Sequence, residues 1–125
     1  VDKRLKKNES IIQDALPPEY IGDKACGTIV VCWGSTYNIV REAIVRLRSE
    51  DVSMLHFKQV YPIHPDIHGY FDGADKVVIV ENNATSQFGH ILKLFANVDI
   101  TDKILKYNGL SFSVEELTAA LKQLI

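Results

Sequence analysis

Apolar residues along this chain follow two rhythms. Continuous β-branched and aromatic runs bounded by turn residues read as strands covered on both faces: "GTIVVCW" from Gly27, Val52–Val60, "KVVIVEN" from Lys76 and "DKILKYNG" from Asp102. Between them the apolar positions fall at i, i+3, i+4, i+7. Val40, Ala43, Ile44 and Leu47 define one face of a helix over Asn38–Glu50, and Phe88, Ile91, Leu92 and Phe95 one of a helix over Thr85–Asn97.

A final helix in "SVEELTAALKQLI" carries Leu117, Ala120, Leu121 and Leu124 behind an S-x-x-E capping box, Ser113 to Glu116. A short helix over Asp66–Phe71 is entered through Pro65 and left at Asp72-Gly73. Residues 1 to 16 read as a basic connector helix with a thin stripe of Leu5, Ile12 and Leu16, stopped by "LPPEYIGD". The pattern thus predicts a lead-in over 1–24 and an α/β domain over 25–125, its strands alternating with helices. Right-handed crossovers assemble such a chain into a mostly parallel sheet with helices on both faces, a three-layer α/β/α sandwich.

Composition narrows the function classes. The 125 residues are 46% hydrophobic and 24% charged, which fits one globular domain with one core. Net charge is −2 and the 14 basic residues are scattered apart from "DKRLKK" at the start, a pattern that argues against nucleic acid. No apolar run reaches the ~20 residues of a membrane span, and nothing resembles a signal peptide, so a cytoplasmic protein is expected. The first residue is Val1, which suggests an origin in something longer. Cys26 and Cys32 lack any C-x-x-C or Cys/His spacing and read as reduced thiols. His56, His64, His68 and His90 lack metal-ligand spacing and read as structural or surface histidines.

In a parallel sheet the carboxyl ends of the strands share one edge, so Ser35-Thr36, Gln59 with Tyr61, and Glu81-Asn82-Asn83 are expected to meet there. Ser35, Thr36 or Asn38 is expected to cap the helix that follows. The alternative, an anion site at that helix start, lacks a G-x-G-x-x-G or G-K-[ST] loop for close backbone approach. Glu81, ending an apolar strand, is either a general base or an acceptor for nearby loop amides, and the second reading is favoured because no histidine or carboxylate adjoins it. Asn82 and Asn83 read as caps of the next helix or as amides offered to a partner chain. No G-x-S-x-G surrounds any serine.

Four segments in order carry a resemblance: W-G-S-T at the end of the first strand, Tyr61-Pro62, E-N-N-A-T-x-Q from Glu81 to Gln87, and L-K-Y-N-G near the end. Together they resemble the C-terminal part of the alpha subunit of 2-oxoacid:ferredoxin oxidoreductases, above all the 2-oxoglutarate type, over nearly the whole chain. Two positions depart from that pattern: Tyr37-Asn38 stands where glycine is usual, and so does Ser86.

The resemblance implies a domain similar to the transketolase C-terminal domain, with about five strands, one an antiparallel edge strand. The pattern alone yields four, which places the fifth near Tyr20 or in the C-terminal third. It also implies an enzyme that converts a 2-oxoacid to acyl-CoA while reducing ferredoxin. Thiamine diphosphate and Mg2+ would lie between the alpha subunit's N-terminal domain and a beta subunit carrying an iron–sulfur cluster, with coenzyme A as acyl acceptor. This fragment is expected to hold none of these and to be inactive alone, with Ser35, Thr36, Glu81, Asn82, Asn83 and Gln87 forming a ligand or subunit edge. The alternatives are a free-standing module binding coenzyme A or another anion, and the C-terminal domain of an E1 dehydrogenase or transketolase.

Overall fold

A computed structural model of the chain describes residues 17–22, 27–49, 51–58, 67–82, 86–106 and 112–125. The element order is β1 (Glu19–Ile21), β2 (Thr28–Trp33), a 3-10 turn (Gly34–Thr36), α1 (Tyr37–Leu47), β3 (Val52–Phe57), α2 (His68–Phe71), β4 (Lys76–Glu81), α3 (Gln87–Ala96), β5 (Asp102–Leu105) and α4 (Val114–Leu124). The strands form a single sheet in the order β1-β3-β2-β4-β5. Only β1 is antiparallel: Glu19 pairs with His56 and Ile21 with Met54, while the other neighbouring strands run parallel. β1 is the fifth, antiparallel edge strand that the resemblance implied near Tyr20 or in the C-terminal third; the pattern alone yielded four because three residues are too few to show a period.

The alternation of side chains along each strand divides the core into two layers. Ile29 and Val31 of β2, Leu55 and Phe57 of β3, and Val77 and Ile79 of β4 face Phe88, Leu92 and Ala96 of α3. Val30 and Cys32, Val52 and Met54, and Val78 and Val80 face the other way, against Val40 and Ala43 of α1 and Leu117 and Leu121 of α4. Each buried Val, Leu or Ile contributes about 1.5–3 kcal/mol, which is why the central strands read as unbroken apolar runs. The side chain of Phe95 lies outside the described residues.

Helix ends show where local signals were complete. Ser113 Oγ accepts from the Glu116 amide at 3.0 Å, half of the expected box, but the Glu116 carboxylate turns to Lys106 Nζ at 2.8 Å. Arg46 on α1 bonds Glu115 on α4 at 3.2 Å, tying the two helices of one layer. The Glu115 carboxyl is held below its ordinary value, chiefly by its own backbone amide and then by Arg46. Lys76 Nζ donates to the Leu124 carbonyl and so docks the end of α4 against the start of β4. Residues 1–16, and with them the expected connector helix, lie outside the described residues, as do Cys26, Gln59, Tyr61, His64 and Asn83.

Candidate functional site at the carboxyl edge

Trp33 ends β2 and Glu81 ends β4, and the parallel register of these strands sets the two side chains on the same face, toward α3. Glu81 is 1% exposed, a depth at which a carboxylate survives only with its lone pairs filled. Its Oε1 accepts from Trp33 Nε1 at 3.0 Å and from the Phe88 amide at 2.7 Å. Its Oε2 accepts from Ser86 Oγ at 2.9 Å and from the Gly89 amide at 3.3 Å. The carboxylate therefore takes amides at the start of α3, where the helix leaves N–H groups without intrahelical acceptors and the dipole favours negative charge. Of the two roles weighed for Glu81, amide acceptor is the one this geometry displays.

Ser86, the residue before α3, adopts φ 52° and ψ 54°, a left-handed conformation that costs a non-glycine residue about 1–2 kcal/mol. That conformation explains why glycine is the usual residue at this position in the pattern quoted above. Serine here adds a hydroxyl that reaches Glu81. Gly89 is equally constrained from the other side, since a Cβ there would overlap the Ser86 hydroxyl. Phe88 packs between the rings of Phe57, at 4.8 Å in an edge contact, and Trp33, at 6.3 Å.

The opposite face of the same edge is organised by His56. Its Nε2 lies 3.0 Å from the Gly34 carbonyl, which can only accept, so Nε2 is the donor there, and Nδ1 is buried with no hydrogen-bond partner among the described residues. The bond braces Gly34 at φ 66°, the turn that lets β2 pass into α1. Tyr37 meets the His56 ring edge-on at 4.8 Å.

The expected helix caps are corrected. None of Ser35, Thr36 and Asn38 caps α1 through its side chain; Thr36 Oγ1 instead donates back to the Trp33 carbonyl at 3.0 Å and is buried, while Ser35 is exposed. A hydroxyl pair presented together to an anion is therefore not what this turn offers. Asn82 is exposed at the end of β4, and the acceptor expected from it at α3 is supplied by Glu81. Gln87 is exposed on the first turn of α3. Ser35 and Thr36 follow the end of β2, Asn82 follows the end of β4 and Gln87 opens α3, and the contacts that join these ends run through Trp33 and Glu81. Sequence reasoning did not single out Trp33 or Gly89 for this edge, although a tryptophan closing one strand in register with a glutamate closing the next was a readable signal.

Cys32 is buried beside Thr36, and burial pushes its thiol up to about 12 from the ordinary 9.0, so it stays protonated and inert. Among the described residues no group of three or more His, Cys, Asp or Glu side chains could hold a metal ion, and no helix is long and apolar enough to cross a membrane.

No family model matches the chain. The alpha subunit of 2-oxoacid:ferredoxin oxidoreductase 1 from Sulfurisphaera tokodaii is 30% identical over 99% of this chain and 20% of its own length. The chain is homologous to 2-oxoacid:ferredoxin oxidoreductase alpha subunits. A second such subunit, from Aeropyrum pernix, is 27% identical over the same share of the chain. The chain spans about a fifth of the length of these relatives. Among solved structures, the 2-oxoglutarate:ferredoxin oxidoreductase of Magnetococcus marinus, with 2-oxoglutarate, coenzyme A and succinyl-CoA bound, superposes with a TM-score of 0.82. That match has 27% identity over 97% of this chain and 22% of that one. The alpha chain of a probable 2-oxoacid ferredoxin oxidoreductase from Thermoplasma acidophilum gives 0.59 at 29% identity, over 86% of this chain and 96% of that one.

Proposed function

We propose that this chain is the C-terminal domain of the alpha subunit of a 2-oxoacid:ferredoxin oxidoreductase, an enzyme that oxidatively decarboxylates a 2-oxoacid, here 2-oxoglutarate, to its acyl-CoA and passes the electrons to ferredoxin. The observation that carries the reading is the similarity to named alpha subunits along 99% of the chain. Preference for 2-oxoglutarate draws on the Magnetococcus marinus enzyme, whose structure contains that substrate.

Within the enzyme the domain's work is mechanical. By the resemblance, thiamine diphosphate with Mg2+ is assigned to the N-terminal domain and its junction with the beta subunit, and the iron–sulfur cluster to the beta subunit. Coenzyme A, the acyl acceptor of the holoenzyme, is by the same resemblance assigned outside this domain. The carboxyl edge, with Ser35, Thr36, Glu81, Asn82, Asn83 and Gln87, is the surface this domain turns toward the rest of the enzyme. Glu81 acts there from below the surface: through Ser86 and the Phe88 and Gly89 amides it fixes the start of α3.

The test is to capture the native protein from its source with an antibody against this domain and assay the captured material for coenzyme A-dependent reduction of a viologen dye by 2-oxoacids. Activity that follows the antibody, faster with 2-oxoglutarate than with pyruvate, is the expected result. A captured chain without 2-oxoacid-dependent activity would overturn the proposal.

A further inference from the structure

Away from the carboxyl edge, α3 and β5 enclose an open cavity of about 240 Å³ lined by Gly89, His90, Lys93, Val98, Asp99 and Lys103, with Ile100 closing its apolar wall. At roughly 30 Å³ per liquid water, that space admits a tetrahedral oxyanion together with a few waters.

The polar groups on its rim are mostly donors. Lys93 Nζ is pinned between Asn97 Oδ1 at 3.1 Å and Asp99 Oδ1 at 2.6 Å, which leaves its third N–H free and neutralises the carboxylate among the lining residues. Lys103 and His90 are exposed, and their side chains have no hydrogen-bond or ion-pair partner among the described residues. His90 offers a ring N–H in either protonation state. With the Lys93–Asp99 pair neutral, the ammonium of Lys103 gives the lining its surplus positive charge. Val98, also in the lining, is buried and apolar.

We propose that this cavity binds a phosphate-sized oxyanion, held by Lys103, the free N–H of Lys93 and the ring of His90. The site is independent of the enzyme assignment above, because it rests on side chains of α3 and β5 that the carboxyl edge does not use. The chemistry it fits is a phosphate group, free or at the end of a larger molecule.

The direct test is a two-dimensional 15N–1H titration of the 125-residue chain with inorganic phosphate at constant ionic strength, with chloride as the reference anion. The expected result is saturable shifts confined to the amides of Gly89, His90, Ile100 and Lys103. Lys103→Gln should weaken the phosphate affinity about 1.5- to fivefold, the range for one exposed charge contact, while Lys122→Gln on α4 leaves it unchanged. Shifts that fail to saturate, that chloride reproduces, or that survive Lys103→Gln undiminished overturn the site. A second arm with a phosphomonoester separates a free-ion site from one reading a terminal phosphate: tighter binding of the ester assigns the latter, equal binding the former.

Discussion

The indole Nε1–H of Trp33 donates to Oε1 of Glu81 at 3.0 Å, joining the last residues of two neighbouring parallel strands beneath the start of α3. Because the same oxygen accepts the Phe88 amide, the bond links strand end to strand end and both to the helix. The sheet's carboxyl edge is thereby braced from underneath.

Replacing Glu81 tests that link. Glu81→Gln puts an NH2 group where a donor now points and removes the negative charge from the helix start, so a loss of about 3 kcal/mol is expected. Trp33→Phe removes one donor and keeps most of the ring, for about 1–2 kcal/mol. Urea denaturation of the three proteins gives both numbers. A Glu81→Gln protein within 1 kcal/mol of the parent would show that the buried carboxylate is not the anchor described here.

Ser86 sets two effects against each other. Ser86→Gly relieves the left-handed strain but loses the hydroxyl bond to Glu81, and since a bond to a charged group is worth about 1.5–3 kcal/mol against 1–2 for the strain, a net loss of about 1 kcal/mol is expected. Ser86→Ala loses the bond and keeps the strain, so it ranks lowest. Gly89→Ala drives a methyl into the Ser86 hydroxyl, and its cost should shrink when Ser86→Gly is made in the same chain. A double-mutant cycle by denaturation measures that coupling, and strict additivity would mean that the two residues do not compete for the same space.

Cys32 makes alkaline pH a probe of the core. Its thiol is raised from 9.0 to about 12 in the fold, so below 9.0 both folded and unfolded chains hold the proton and its contribution to stability is fully present. Between 9.0 and about 12 the unfolded chain ionises first, and stability falls as pH rises through that window. Cys32→Ala should therefore lose less stability than the parent across the same range, as followed by denaturation at stepped pH. Equal slopes would place the thiol in contact with water.

What the sequence made legible follows from how local each signal is. The run Thr28–Trp33 needed no partner to be read as a buried strand, and the stripe of Leu117 and Leu121 showed the inner face of α4 unaided. Ser113 acts within its own turn and was found; the Glu116 carboxylate, long enough to reach another segment, chose Lys106 over the cap. The start of α3 was placed at Thr85 and lies at Gln87, because the groups that fix it are Ser86 in a left-handed turn and a carboxylate from β4. β1 escaped the apolar pattern for a similar reason and was expected near Tyr20 only through the resemblance: its pairing to β3 is a tertiary fact that three residues do not announce. At the edge, the polarity of Ser35, Glu81 and Asn82 was visible, but that Glu81 points inward and Thr36 turns back on Trp33 required the register of the sheet.

The claim that this carboxyl edge is where the domain meets the rest of its enzyme is tested most directly by amide hydrogen exchange, comparing the antibody-captured assembly with the isolated 125-residue chain. The account predicts added protection in the segments that hold Ser35, Thr36, Asn82 and Gln87, with the outer faces of α1 and α4 unchanged. Protection concentrated on α1 and α4, with the edge exchanging equally in both states, would contradict it.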